Sequence, residues 1–238
     1  MTNDNGDRDL LLHGELAGLT VMPTGSNYTF VGTATAHGRT IKVVYKPKRG
    51  ESPLWDFPNG TLYQREYGAY LLSQILGWSF IPLTIVRDGP YGIGMVQRYV
   101  EHDPSVGYFQ LREKHADALR RMAVFDVVSN NADRKAGHIL LGEDGNIWGI
   151  DHGLTFNVDP KLRTVIFDFS GETVPPELLE PFKALEASLQ APDGQVRELL
   201  ALLSTDEARM LAKRLRDLLA QPVFPMLHPR YNVPRPSW

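Results

Sequence analysis

Cysteine is absent from the 238 residues, which excludes disulfide frameworks, thiol nucleophiles and thiolate metal sites. No apolar run reaches the roughly 18 residues that a membrane-spanning helix needs. Charge of one sign is scarce too. Lys and Arg number 25 against 28 Asp and Glu, a net charge of −3, which argues against a nucleic-acid partner for the chain as a whole. The opening residues, Met1 to Asp7, are polar and acidic rather than signal-like, so a soluble cytoplasmic protein with no integral membrane segment is expected. Hydrophobic residues make up 42%, enough for the core of one large domain or of two compact lobes.

The chain changes character near its middle. From about Leu10 to Val100, strand and turn patterns dominate. Tyr28–Gly32 and Ile41–Tyr45 are β-branched and aromatic runs on either side of the turn Ala36-His37-Gly38-Arg39. One helix interrupts them between Gln64 and Leu76, where Tyr67, Tyr70, Leu71 and Ile75 recur at helical spacing and Gly77 is a stop. Two further strands, Pro82–Val86 and Gly94–Val100, flank a turn at Asp88–Pro90. From about Asp103 helices take over: Glu113–Val128, Pro176–Leu189, Gln195–Leu203 and Thr205–Ala220. Ser204 with Glu207 three residues on is a capping-box signature for the last. The expected fold is therefore α+β and bilobal, with a strand-rich N-lobe over residues 1–100 and a helical C-lobe over 101–221. A proline-rich extended tail is expected over 222–238.

One stretch carries chemistry. Ile139–Leu141 and Ile147–Ile150 are apolar runs around the turn signal Glu143-Asp144-Gly145-Asn146, so they read as a hairpin. Asp133 and Asp151 stand at its two ends, and the hairpin would bring both carboxylates to one cleft. One could accept a hydroxyl proton while the other holds a metal ion, the layout that phosphoryl transfer uses.

The strand-rich half supplies candidate partners. Lys46 ends a hydrophobic strand just before Pro47 and could meet phosphates as a point charge, with Lys48 two residues on; two solvated lysines is the alternative. Glu66, near the start of the helix, could pair with Lys46, or could be a surface carboxylate favoured by the helix dipole. Backbone amides of the turn Pro23–Asn27 could cradle phosphates, although an ordinary hairpin turn is the better fit. Arg134 could steady the Asp133 carboxylate or an incoming phosphate, or form a simple ion pair. Trp55, Phe57 and Tyr63 could form a lid or a partner surface, although packing on the upper lobe is the better fit.

Four segments occur in order: Tyr45-Lys-Pro-Lys-Arg-Gly-Glu51, Arg65-Glu-Tyr-Gly-Ala-Tyr-Leu71, Asn131-Ala-Asp-Arg134 and Gly149-Ile-Asp-His-Gly-Leu-Thr-Phe156. In this order and spacing the chain resembles the phosphatidylinositol 3-/4-kinase-like branch of the protein-kinase-like superfamily over about residues 20–160. It echoes the type II phosphatidylinositol 4-kinases and a compact, mostly actinobacterial branch. The resemblance implies a protein-kinase-like fold that uses ATP and Mg²⁺, with Mn²⁺ as the alternative ion. Gly25, Ser26 and Asn27 would cover the phosphates, Lys46 would bind them, and Glu66 would anchor Lys46. Met95 to Tyr99, with Gln97, Arg98 and Tyr99, would form the adenine-binding hinge. Asp133 would be the catalytic aspartate and Asp151 the metal-binding one.

One position departs from that pattern: His138 stands where these kinases usually carry a metal-binding Asn. Imidazole suits Mn²⁺ and later transition metals better than Mg²⁺. His138 could ligate a softer metal, touch phosphate directly, or leave Asp151 alone to hold one ion. The expected function is an ATP-dependent phosphotransferase acting on a hydroxyl of a protein or small molecule. Val158–Arg163 has only two basic side chains for an inositol lipid head group, yet a peripheral lipid acceptor stays open. The alternatives are a non-catalytic nucleotide-binding regulator and an AMP transferase on the same fold.

Overall fold

The computed structural model describes residues 4–23 and 27–234. Five antiparallel strands form one sheet in the order β1-β2-β3-β5-β4: β1 (Glu15–Val21), β2 (Phe30–Ala36), β3 (Arg39–Pro47), β4 (Thr84–Gly89) and β5 (Gly92–Arg98). The β2–β3 turn has both central residues in the left-handed region, His37 at φ 50° and Gly38 at φ 73°. That is the twist-matched geometry a two-residue hairpin favours.

A helix that the sequence pattern did not reveal precedes the sheet: α1 (Asp4–His13). Its apolar content is a single run of leucines with no helical period, so tertiary packing sustains it. Leu10 and Leu11 are buried, and Arg87 of β4 donates to the terminal carbonyls of Leu11 and Gly14 at 3.0 and 2.8 Å. α1 packs on β2, β3, β4 and β5, where Val43 and Tyr45 of β3 are fully buried. Strand alternation sends Lys42, Val44 and Lys46 to the opposite, less buried face.

Helix α2 (Leu62–Ile75) begins two residues before its periodicity suggested, because Glu51 caps it. The Glu51 carboxylate accepts from the Leu62 and Tyr63 amides at 3.1 and 2.8 Å. Beyond the sheet lie α3 (Tyr108–Leu111), α4 (Ala116–Ser129), the hairpin β6 (Ile139–Leu141) and β7 (Ile147–Gly149), then α5 (Pro176–Ser188), α6 (Gly194–Ala201) and α7 (Thr205–Ala220). The α+β, bilobal reading holds. One hydrophobic cluster runs from the sheet through α2 into the helical half.

Helix α2 is also bolted across that junction. Arg65, 3% exposed, pairs with Glu207 at the start of α7 and donates to the Thr155 carbonyl at 2.7 Å. Tyr67 reaches Glu198 of α6 at 2.6 Å. The proline-rich end has no helix or strand through residue 234 but is seated on the helical half. Phe224 is buried, and its amide and carbonyl bond Glu172 and Gly171. No helix among the described residues is long and apolar enough to cross a membrane.

Candidate active site

A cavity of about 160 Å³ lies between the end of β3, the start of α2 and the two segments that flank the β6–β7 hairpin. Lys46, Glu66, Asp133 and Asp151 all line it, together with Asn27, Glu51 and Lys135. Register explains the first contribution: Lys46 pairs with Met95 in the β3–β5 ladder and projects from the less buried face. Its ammonium donates to Glu66 Oε1 at 2.5 Å and to Asp151 Oδ1 at 2.8 Å. Three segments far apart in sequence therefore converge on one nitrogen.

Charge explains the ionisation of this trio. Burial works against the Lys46 ammonium, but Asp151 and Glu66 outweigh it and hold its pKa above the ordinary lysine value. For Asp151 burial is opposed by Lys46 and by His138, and its pKa falls below the ordinary carboxylate range. For Glu66, 2% exposed, burial wins over Lys46 and the pKa rises. Asp151 is thus the ionised counterion of Lys46. The second oxygen of Glu66 accepts the His152 amide at 2.7 Å, tying α2 to the segment that carries Asp151. Asp151 itself has φ 60°, a left-handed conformation that an Asp adopts at a modest cost.

Buried bonds hold the segment in that conformation. Arg134, fully buried, grips Asp126 of α4 with Nε and Nη2 at 2.9 and 2.8 Å. Nη1 donates to the Ile150 carbonyl at 3.2 Å, and Nη2 lies 2.7 Å from His152 Nε2. Arg134 therefore faces inward, away from Asp133, and of the sequence readings the ion pair is the one realised. The arginine contact requires His152 Nε2 to be an acceptor, so the ring is neutral, and burial lowers its pKa well below the usual histidine value.

Asp133 borders the cavity with one carboxylate oxygen 3.0 Å from Lys135 Nζ. Its amide donates to Asn131 Oδ1 at 3.0 Å. Burial raises its pKa against the pull of Lys135, which makes it a better base than a solvated aspartate. Lys135 is a site residue beyond those the sequence pattern singles out, although its Asp-x-Lys spacing from Asp133 lets both side chains meet. His138 sits 3.3 Å from Asp151 Oδ2 through Nε2, while Nδ1 faces the Lys135 amide at 3.5 Å. That network assigns the proton to Nε2. Burial lowers its pKa to about 4, so the ring is neutral and donates to Asp151.

The remaining sequence candidates divide. Asn27 lines the cavity and accepts the Ser52 amide at 2.7 Å, whereas Gly25 and Ser26 lie outside the described residues. Gln97, Arg98 and Tyr99 do not line this cavity. The Gln97 amide bonds Thr84 at 2.8 Å, the Arg98 guanidinium stacks 5.2 Å over Trp148, and Lys42 covers the Tyr99 ring at 3.7 Å. Lys48 is exposed beyond the strand end. Phe57 and Tyr63 are buried, and Trp55 is 92% exposed.

As to divalent metals, the cavity offers the carboxylates of Asp151 and Asp133, with Glu66 engaged by Lys46, while the His138 nitrogen that faces Asp151 carries its proton. Among the described residues no group of three or more acidic, histidine or cysteine side chains is arranged to hold an ion. A single carboxylate that shares an ion with substrate phosphates and water is a sufficient set for Mg²⁺.

The family model for phosphatidylinositol 3- and 4-kinase matches residues 83–204, which include Asp133, Lys135, His138 and Asp151. The chain is 39% identical over 273 residues to Protein Rv2133c of Mycobacterium tuberculosis (strain ATCC 25618 / H37Rv), covering 100% of this chain and 98% of that protein. Among solved structures it is similar to the Golgi casein kinase with Mn/ADP bound, at a TM-score of 0.58 and 12% identity over 91% of this chain and 74% of that one. It is also similar to the Helicobacter pylori proinflammatory kinase CtkA, at a TM-score of 0.54 and 12% identity over 89% and 94% of the two chains. At such identities these two likenesses show the fold: protein-kinase-like.

Proposed function

The chain belongs to the phosphatidylinositol 3- and 4-kinase family, and from that premise we propose that it is an ATP-dependent phosphotransferase acting on a hydroxyl acceptor. The observation that carries this is the convergence of Lys46, Glu66, Asp133, Lys135 and Asp151 on one cavity. Transfer of a phosphoryl group needs positioning and charge neutralisation more than covalent participation by the protein. Lys46, held by Glu66, meets the α- and β-phosphates. Asp133 accepts the acceptor's proton as its oxygen bonds the γ-phosphorus, the bond to the β–γ bridging oxygen breaks, and ADP leaves. Lys135, beside Asp133, balances charge on the transferring group.

Asp151 would hold a divalent ion, Mg²⁺ or Mn²⁺, which supplies neutralisation of the phosphate charge when bound. His138 acts by donating to Asp151, keeping that carboxylate ionised and oriented; a direct metal bond would need the opposite tautomer. Adenine is assigned to the backbone of Met95–Tyr99. A cytoplasmic setting, where ATP is plentiful, accompanies this reading.

Incubation with α- and γ-labelled ATP tests it. Label moving from the γ position to an acceptor or to the chain itself is the expected result. Movement of α-label identifies AMP transfer instead and overturns the proposal.

A further inference from the structure

A second, larger hollow of about 920 Å³ adjoins the catalytic cavity, and Leu54 and Leu154 line both. It runs between the insertion around Trp55, the segment 158–163, α7 and the docked C-terminal stretch. We infer that this groove docks the acceptor, and that its occupant is a polypeptide segment combining acidic and apolar side chains next to the hydroxyl residue. The acceptor role rests on the phosphotransferase reading; the docking does not.

Charge points to an anion. Lys161 is neutralised by Asp56 at 3.0 Å and Lys213 by Asp217 at 2.5 Å. Arg163, which lines the same groove, makes its side-chain bond to a backbone carbonyl rather than to a carboxylate among the described residues. Arg163 spends only Nε, on the Ala132 carbonyl at 2.7 Å, one residue before Asp133. Its terminal nitrogens remain to hold an acidic side chain close to the reacting hydroxyl, in the forked geometry guanidinium offers a carboxylate. Arg214 spends Nε and Nη1 on the carbonyls of Val128 and Asn157 and its Nη2 is buried, so the anion-binding role falls to Arg163.

Apolar exposure points to a polypeptide rather than a small anion. Of the eleven large apolar side chains exposed among the described residues, five line this groove: Trp55, Val158, Val223, Met226 and Tyr231. Trp55 is 92% exposed, Met226 81% and Tyr231 67%. Sites for small molecules enclose most of the ligand, whereas an open apolar patch rimmed by charge marks a protein contact. Trp, Tyr, Met and Arg are also the residue types enriched at such contacts.

The test is fluorescence anisotropy of labelled synthetic peptides on the full chain without ATP. The peptides carry one Ser and one Phe, flanked either by Glu or by Lys. The acidic peptide is expected to bind at least tenfold tighter than the basic one, and Arg163→Glu is expected to reverse that preference. Trp55→Ala, a change at an exposed position that spares the fold, is expected to weaken the acidic peptide severalfold. Equal binding of both peptides, or an acidic preference indifferent to both substitutions, overturns the inference. Displacement of the acidic peptide by phosphatidylserine-containing vesicles overturns it too, in favour of a membrane surface. Acidic preference without any γ-label transfer refutes the kinase reading and leaves the groove standing; transfer without acidic preference does the reverse.

Discussion

Replacing Arg134 by Leu removes a guanidinium that is fully buried and makes five polar contacts: two to Asp126 and one each to the His138 carbonyl, the Ile150 carbonyl and His152. Asp126 would keep a bond from Asn131 Nδ2 at 2.9 Å but lose its counterion in a site where it is fully buried. Breaking a buried pair from one side costs about 3–5 kcal/mol. For a chain of this size each kcal/mol moves the melting temperature by about 2–4 °C, so the expected fall is about 6–20 °C. The double change Asp126→Leu with Arg134→Leu leaves no orphaned charge and should recover part of the loss. Thermal unfolding followed by circular dichroism reads both. A fall under about 2 °C for Arg134→Leu, or a double variant less stable than the sum of the singles, would refute the reasoning.

Three further outcomes follow from the same geometry. His138 is neutral when folded, with its pKa lowered to about 4, but titrates near the usual 6.5 when unfolded. Between those values the unfolded chain binds more protons, so stability falls with falling pH, by about 2 kcal/mol from pH 7 to 5. Urea titrations should show that slope, and His138→Asn should flatten it. Glu66→Gln keeps the shape but frees Lys46 from one carboxylate. It should lower kcat by about tenfold or more while transfer stays measurable, and unchanged steady-state kinetics would count against the Lys46–Glu66 assignment. Arg65→Leu unbolts α2 from α7 and Thr155; burial of the pair predicts a loss of about 3–5 kcal/mol by urea unfolding, and a loss below 1 would contradict it.

Legibility followed sequence distance. The β6–β7 hairpin showed itself because a turn signal separates two apolar runs, and from it the meeting of Asp133 and Asp151 could be inferred. α7 was legible to the residue because Ser204 and Glu207 cap it locally, with the Ser204 amide 2.9 Å from Glu207 Oε2. α1 was not, since three consecutive leucines carry no period and only the sheet gives them a partner. Arg65 and Glu207, 142 residues apart, leave no periodic trace at all. The same holds for the inward turn of Arg134, which depends on Asp126 from a different element. The place of Lys135 is encoded locally, in its spacing to Asp133, with which it pairs at 3.0 Å.

The most direct test of the central claim pairs two measurements on Asp133→Asn: ATP affinity by calorimetry with Mg²⁺ present, and γ-phosphoryl transfer from labelled ATP. Loss of a positioned general base should cut transfer by about 10²- to 10⁴-fold while nucleotide affinity stays within a fewfold of the unaltered chain. Transfer at the unaltered rate with intact binding would contradict the assignment of the cavity as the catalytic site.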